Sequence, residues 1–274
     1  MQRMIGALAI LGLAAAPAMA QTRSTTRPTQ VQKQIDPRAD QALHRMSDYL
    51  GGLKSFQVRA ATVDEVVLTS GQHLQFMTDS IVMVKRPDRL RSERVGAHDM
   101  AFFDDGRTLS LYCKGQNSYS SIPAAQGLDA AIDQARAYGL DAPGADLLAA
   151  RPYDVLTDDV TTGDYIGVET VDGVPCHHLA FRGDETDWQI WIQDGPQPLP
   201  LRYSILSKKV TGQPQFTVRM SQWQPAANLP DNMFTFQPPA GATRTEQFPQ
   251  DCAGPIQAPK QQPAQNPEDK KTKE

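Results

Sequence analysis

The stretch VDGVPCHHLAFRGDETDWQIWIQDGPQPLPLRYSILS, residues 171–207, decides the fold. It holds three short runs rich in β-forming residues, at 174–181, 187–193 and 199–206. Gly, Asp and Pro separate the runs, which is typical of consecutive antiparallel strands joined by tight connections. Apolar side chains mostly alternate along each run, so one face of the sheet is apolar and must be covered by other parts of the chain.

The chain before this stretch supplies one helix and a series of strands. Asp36 is placed to cap a helix that begins at Pro37, and apolar residues recur at helical spacing until Gly51 and Gly52 disrupt the pattern. From 55 to 122 the apolar period becomes two, which predicts a run of consecutive strands. The first helix is amphipathic and needs a partner surface.

Two helices then interrupt the strands. Residues 128–139 place their apolar side chains on one helical face, and a second short helix is predicted at 144–150. Strands resume at 165–171, pass through the opening stretch, and end with 216–223 and a short edge segment at 234–236. Two separate domains would leave the first helix as the only cover for the early sheet. We therefore predict a mainly β (α+β) fold, in which a single large curved antiparallel sheet forms an unclosed half-barrel of about 10–11 strands with helices on its concave side.

The two ends of the chain differ from its middle. Residues 1–20 have the features of a secretory signal: Arg3, an apolar run, and a small-residue cleavage motif. The alternative, an uncleaved anchor, needs roughly 18–20 apolar residues, and this run is shorter. We expect a flexible leader at 21–35, the half-barrel domain at 36–248 and a disordered tail at 249–274. The mature protein is expected to be soluble in the periplasm, without a transmembrane span.

Charge and cysteine content restrict the possible partners. The 27 basic and 31 acidic residues give a net charge of -4, which argues against a nucleic-acid partner. Cys113, Cys176 and Cys252 form an odd set, so one intramolecular disulfide at most can form. A bridge between Cys113 and Cys176 is possible, because both lie in strand-like segments of an exported chain. Two buried free thiols are the alternative.

Candidate catalytic residues do not form a recognisable set. His177 and His178 are adjacent in a strand, so their imidazoles point to opposite faces and cannot converge on one metal ion. Asp184, Glu185 and Asp187 could act as acid and base or bind a cation, but they occupy a hairpin connection where solvated acidic residues are common. The sequence has neither a G-x-S-x-G motif nor a glycine-rich phosphate loop. We expect no catalytic residue, metal or cofactor.

Three segments resemble the half-barrel superfamily of periplasmic lipoprotein carriers, of LolA and LolB type. They are DDGRTLSLYCKGQNSYSSI at 104–122, DGPQPLPLRYSI at 194–205 and NMFTFQPPAGA at 232–242. More narrowly, VDGVPCHHLAFR with TDWQIWI resembles a family of predicted periplasmic proteins of unknown function on the same scaffold. The resemblance implies a cavity that accepts acyl chains, and it transfers no catalytic residue.

The function expected from this resemblance is non-enzymatic, carrier-like binding of a lipid or of the acyl chain of a lipidated protein. An apolar concave face is what such a ligand needs, although a filled core would show the same alternation. The candidate lining residues alternate on three predicted strands: Trp188, Ile190, Leu201, Tyr203, Phe216 and Val218. The alternatives are an envelope sensor or protein-interaction module and, third, a hydrolase using Asp184, Glu185 or His178. A monomer is expected, and the identity of the ligand stays open.

Overall fold

A computed structural model describes residues 33–257, and thirteen strands within them form one sheet. The strands are β1 (Gln34–Ile35), β2 (Ser55–Val67), β3 (His73–Lys85), β4 (Arg89–Gly96), β5 (Met100–Asp104), β6 (Thr108–Cys113), β7 (Ser118–Pro123), β8 (Val160–Val171), β9 (Val174–Gly183), β10 (Thr186–Gln193), β11 (Pro200–Ser207), β12 (Gln215–Pro225) and β13 (Thr243–Arg244). The helices are α1 (Pro37–Gly52), α2 (Leu128–Ala137), α3 (Pro152–Leu156) and α4 (Gln250–Ala253), with short 3-10 helices at Ala145–Leu148 and Asp231–Phe234.

The order of strands across the sheet is β1-β8-β9-β10-β11-β12-β2-β3-β4-β5-β6-β7-β13. Neighbouring strands are antiparallel except at the two edges, where the two-residue strands β1 and β13 pair in parallel with β8 and β7. The sheet is curved and does not close into a barrel. The predicted half-barrel is confirmed, and its eleven strands of more than two residues match the expected number.

The first helix forms where the sequence predicts it. Asp36 accepts a hydrogen bond from the backbone N–H of Arg38 through Oδ1 at 2.8 Å, and Pro37 follows at the first helical position. Its buried face carries Ala39, Leu43, Met46 and Leu50 among others. This face contacts β8 and β10, so α1 covers one half of the concave side and α2 covers the other.

The opening stretch forms the three strands that its alternation predicts, β9, β10 and β11. Trp188, Ile190 and Ile192 of β10 are almost fully buried, whereas Gln189 between them is exposed. The prediction was wrong further along the chain. Residues 234–236 do not form an edge strand, because Phe234 ends a 3-10 helix and turns inward to a fully buried position.

Both ends of the described region are more ordered than the sequence suggested. The predicted signal at 1–20 lies outside the described residues. Gln34 and Ile35 of the expected leader pair with β8, and α4 lies within the expected tail. These segments are polar in composition, but Ile35 packs against the hydrophobic core and Cys252 is part of it. Composition alone does not reveal these contacts.

The disulfide joins Cys113 to Cys252, with Cα atoms 5.9 Å apart, and Cys176 is a buried free thiol. Of the two alternatives that the sequence left open, the Cys113–Cys176 bridge does not form, and of the two expected free thiols only Cys176 is one. The two residues belong to β6 and β9, which lie in opposite halves of the sheet, so their side chains cannot reach each other.

Candidate ligand-binding site

A cavity lies between the middle of the sheet and the segment that runs from α2 to Leu148. Its volume is about 170 Å³. Its floor is built by five neighbouring strands, β12, β2, β3, β4 and β5, and its roof by α2 and residues 140–148. The space expected beneath the sheet is therefore present.

On β2, β3 and β4 the floor is apolar at one end of the strands and polar at the other, whereas β12 is apolar along its length and places Phe216 opposite Asp64. Alternate residues of β2 face the cavity, beginning with Val58 and Ala60 and ending with Thr62 and Asp64. Val58 pairs with Val82 of β3, so the first end is aliphatic. Polarity thus changes along the direction of the strands, and the cavity has two chemically different ends.

The roof is held to the sheet largely by apolar contacts. Ile132 and Ala135 of α2 and Leu147 are buried and line the cavity. Backbone hydrogen bonds occur near the start of the roof, where the N–H of Leu128 donates to the carbonyl of Pro87, and at Asp141. The helices expected at 128–139 and 144–150 are both present here, the second as a single 3-10 turn.

Charged and hydroxyl side chains from floor and roof meet at the polar end. Thr62 Oγ1 lies 2.7 Å from Thr78 Oγ1 and 3.0 Å from Asp64 Oδ2. Arg94 of β4 donates from Nη2 to Met100 Sδ at 2.9 Å and to the carbonyl of Cys252 at 3.1 Å. The Nε atom of Arg94 is buried and has no hydrogen-bond partner within residues 33–257.

Burial shifts the pKa of each of these groups toward its uncharged form. Burial raises the pKa of Asp64, and the neighbouring negative charge of Asp141 raises it further, against the hydrogen bond from Thr62 and the charges of Arg94 and His98. Burial also raises the pKa of Asp141, against the same two cationic groups and Arg136. Burial lowers the pKa of Arg94, and the two carboxylates oppose this shift.

Residues 248–254, which we call the C-terminal clamp, join the roof to the sheet at this end. Phe248 packs against Phe102 of β5 at 6.4 Å and Tyr138 after α2 at 5.8 Å between ring centroids. The N–H of Asp141 donates to the carbonyl of Ala253 at 2.7 Å. The Cys113–Cys252 disulfide then fixes the clamp to β6.

The six predicted lining residues divide into two groups. Phe216 and Val218 line the cavity. The ring of Tyr203 lies beside them, since a Cβ added to Gly144 would lie 3.5 to 3.8 Å from all three side chains. Trp188, Ile190 and Leu201 are instead buried in packed core, and Trp188 stacks on Phe181 at 4.1 Å between centroids. Whether any of the six contacts a ligand stays a prediction.

Most of the cavity wall comes from the earlier strands, which the sequence reasoning did not select. Alternation did mark the inward positions of β2 and β3, but their polar members, including Thr78 and Ser80, are typical of a solvent face. The cavity-lining residues that were missed are Val58, Ala60, Thr62, Asp64, Thr78, Ser80, Val82, Leu90, Ser92, Arg94, Met100, Phe102, Met220 and Trp223 on strands, with Ile132, Ala135, residues 140–145, Leu147 and Leu148 on the roof.

The adjacent histidines face opposite sides of the sheet, as predicted. His177 Nδ1 lies 2.9 Å from the Tyr165 hydroxyl, and Nε2 lies 3.1 Å from Asp194 Oδ1. His178 stacks on Trp191 at 4.2 Å, and its ring nitrogens contact Glu169 and Gln189 at 3.0 and 2.9 Å.

The acidic hairpin connection does not assemble with either histidine. Both His178 nitrogens are occupied by other side chains, and Asp187 pairs with Lys208 at 3.0 Å. Asp184 and Glu185 are exposed. Within residues 33–257, three or more His, Cys, Asp and Glu side chains do not gather in an arrangement that could hold a metal ion. The same residues include no helix with the length and apolarity needed to span a membrane.

The open antiparallel sheet, with helices across its concave face and a cavity beneath them, defines the molecule as a half-barrel protein. The chain belongs to the DUF2092 family of predicted periplasmic proteins, whose model matches residues 39–246. This match confirms the family suggested by the motifs and the predicted periplasmic localisation. Among curated proteins none matches the chain.

Solved structures resemble this chain at low sequence identity. An uncharacterised conserved protein from Thermus thermophilus is 13% identical, with a TM-score of 0.47, and the alignment covers 76% of this chain and 99% of that one. The lipoprotein LppX from Mycobacterium tuberculosis is 16% identical, with a TM-score of 0.45 and coverage of 70% and 98%. A LolA superfamily protein from Nitrosomonas europaea is 14% identical, with a TM-score of 0.34 and coverage of 72% and 97%.

Proposed function

We propose that this periplasmic protein binds a lipid, or the acyl chain of a lipidated protein, in the cavity between sheet and roof, and that it does so without chemistry. The observation that carries the proposal is the apolar lining of the cavity, to which Val58, Val82 and Leu90 of the floor and Ile132 and Leu147 of the roof contribute. A binding site for a hydrophobic ligand needs such a concave, largely apolar lining with a few polar groups.

Carrier function also requires that binding be reversible. An acyl chain that enters would exchange roof-to-sheet contacts for acyl-to-sheet contacts. Both kinds of contact bury apolar surface at about 25 cal/mol per Å², so the exchange is nearly balanced and the ligand can be released. The part of the roof between the hydrogen-bonded residues Leu128 and Asp141 is suited to this movement, because Ile132 and Ala135 hold it by non-directional contacts.

The test compares two substitutions at adjacent residues of β2. Ala60 faces the cavity, and Ala61 lies exposed on the opposite face of the same strand. Ala60→Phe places a ring in the middle of the cavity floor and should weaken binding of a fluorescent fatty-acid probe at least about tenfold, which is about 1.4 kcal/mol. Ala61→Phe should leave the affinity unchanged. Native mass spectrometry of the gently purified protein should also detect a bound lipid.

Two results would contradict the proposal. One is a protein that carries no lipid after gentle purification and does not bind the probe. The other is equal loss of binding in the two variants, because the cavity would then not be the site. A stoichiometric protein partner that remains after delipidation, in the absence of lipid binding, would instead favour an interaction module.

A further inference from the structure

We propose that the ligand of this cavity is a zwitterionic amphiphile, whose headgroup places its anionic group against Arg94 and its ammonium group against Asp64 and Asp141. The inference rests on the proposed function, because it names the class of molecule that the same cavity takes. It is carried by the arrangement of charges at the polar end.

The cavity itself has the polarity of an amphiphile. Val58 and Val82 form the floor at one end, whereas Thr62 and Asp64 lie at the other, and Arg94, opposite Ser80 on β3, is near enough for the Asp64 charge to act on it. A single chain lying along the strands would therefore leave its headgroup beside the charged residues. A ligand that is apolar throughout would bury these charges without partners, which is unfavourable.

Arg94 has hydrogen-bonding capacity that the protein leaves unused. Its Nη2 atom contacts one sulfur and one backbone carbonyl, and its buried Nε atom has no partner among the described residues. Within residues 33–257 it forms no ion pair, although Asp64 and Asp141 are close enough to affect its charge. A guanidinium with free donors favours a phosphate or carboxylate oxygen.

The two carboxylates make a simple anion a poor ligand. Asp64 lies on the floor and Asp141 on the roof, so they approach the polar end from opposite sides. Each retains acceptor oxygens, since Asp64 accepts only from Thr62 among the described residues and Asp141 is bound through its backbone. A headgroup with negative charge alone would face both carboxylates, and one with positive charge alone would face Arg94. A zwitterion complements both signs.

Besides Arg136, which pairs with Asp146, the other basic group near these carboxylates is His98. It follows β4, and its Nδ1 atom is buried without a partner among residues 33–257. Its imidazole lies close enough to act on both Asp64 and Asp141. His98 therefore adds to the mixed character of the site and does not turn it into an anion site, because two carboxylates remain beside it.

The experiment measures displacement of a fluorescent fatty-acid probe from the full mature chain by amphiphiles with matched chains. The competitors are palmitoyl lysophosphatidylethanolamine, palmitate, hexadecylamine and hexadecyl maltoside, each below its critical micelle concentration. We expect the lysophosphatidylethanolamine to bind at least about tenfold more tightly than the other three. Tightest binding of palmitate, hexadecylamine or the maltoside would overturn the inference.

Variants assign the preference to named residues. Arg94→Gln should reduce the preference for the zwitterion over hexadecylamine, and Asp64→Asn with Asp141→Asn should reduce its preference over palmitate. The matched control is Arg59→Gln, because Arg59 pairs with Asp79 at 3.1 Å on the exposed face of the sheet. For each variant, the affinity for the zwitterion is divided by the affinity for the competitor, so a uniform loss of binding from partial unfolding leaves the ratio unchanged. Arg94→Lys keeps the positive charge and should retain part of the preference.

Failure of this inference can be told apart from failure of the proposed function. Equal affinity for all four amphiphiles, with binding still lost in Ala60→Phe, would overturn the headgroup assignment and leave the lipid-binding proposal standing. If neither the four amphiphiles nor the probe binds, the headgroup assignment and the lipid-binding proposal are both wrong.

Discussion

Loss of the Cys113–Cys252 disulfide should destabilise the whole domain, although one of its cysteines lies close to the end of the described chain. The bridge joins residues separated by 139 positions, so it greatly restricts the unfolded chain. The loop-entropy relation gives roughly 5 kcal/mol for a loop of this length, and measured values are commonly about 2–4 kcal/mol. We expect Cys252→Ser to lower the free energy of unfolding by about 2–5 kcal/mol.

The assay is urea unfolding, followed by tryptophan fluorescence and circular dichroism, on protein purified under oxidising conditions. In thermal unfolding of a domain of this size, the expected loss corresponds to a fall in Tm of roughly 4–20 °C. Reductant should shift the wild type by the same amount and should not shift Cys252→Ser. The control is Cys176→Ser, in which the hydroxyl can keep the hydrogen bond to the Val174 carbonyl that the buried thiol makes at 3.4 Å. A loss below about 1 kcal/mol, or an effect of reductant that depends on Cys176, would refute the reasoning.

Two further predictions concern the stability of the fold. Burial raises the pKa of Asp104 to about 6, and its Oδ2 atom has no partner within residues 33–257. A buried carboxyl whose pKa is raised on folding destabilises the native state when it is ionised, and this cost disappears as the pH falls from about 6 to about 4. Asp104→Asn removes the cost, so it should raise the free energy of unfolding by about 1–3 kcal/mol at pH 7 and change it little at pH 4. A gain that is equal at both pH values in urea unfolding would contradict this. In α1, a Cβ at Gly51 would lie 2.4 Å from the Ala150 carbonyl oxygen, whereas one at Gly52 would have no atom within 4 Å. Thermal unfolding should therefore show that Gly51→Ala is less stable than the wild type and that Gly52→Ala is more stable by up to about 1 kcal/mol. If both variants are more stable, the contact with the Ala150 carbonyl oxygen relaxes freely and the reasoning is wrong.

The fold could be predicted because its strands and its first helix depend on local patterns. Alternation in β9, β10 and β11 follows from burial on one face, and Asp36 with Pro37 fixes the start of α1 through bonds within one turn. Both signals lie within a few residues of the structure that they specify. The single sheet followed from them, because the apolar face of the early strands needed more cover than α1 could provide.

The disulfide and most of the cavity could not be predicted in the same way, because they depend on contacts between distant segments. Cys252 lies among Pro, Gln and Asp, and nothing in that composition indicates that it reaches β6. Arg94 lies near two other arginines on its strand, a pattern that favours a solvated face. Its inward position is determined by the register of β4 against β3, where Arg94 is opposite Ser80.

The two-residue strands at the margins of the sheet have a consequence for solubility. β1 and β13 occupy backbone donors and acceptors of β8 and β7 that would otherwise be open to another molecule. Long strands with free edges are templates for intermolecular pairing and fibril growth. The segments around Gln34 and Thr243 therefore shield the first part of each edge strand, at 162–163 of β8 and 118–119 of β7, from pairing with another molecule.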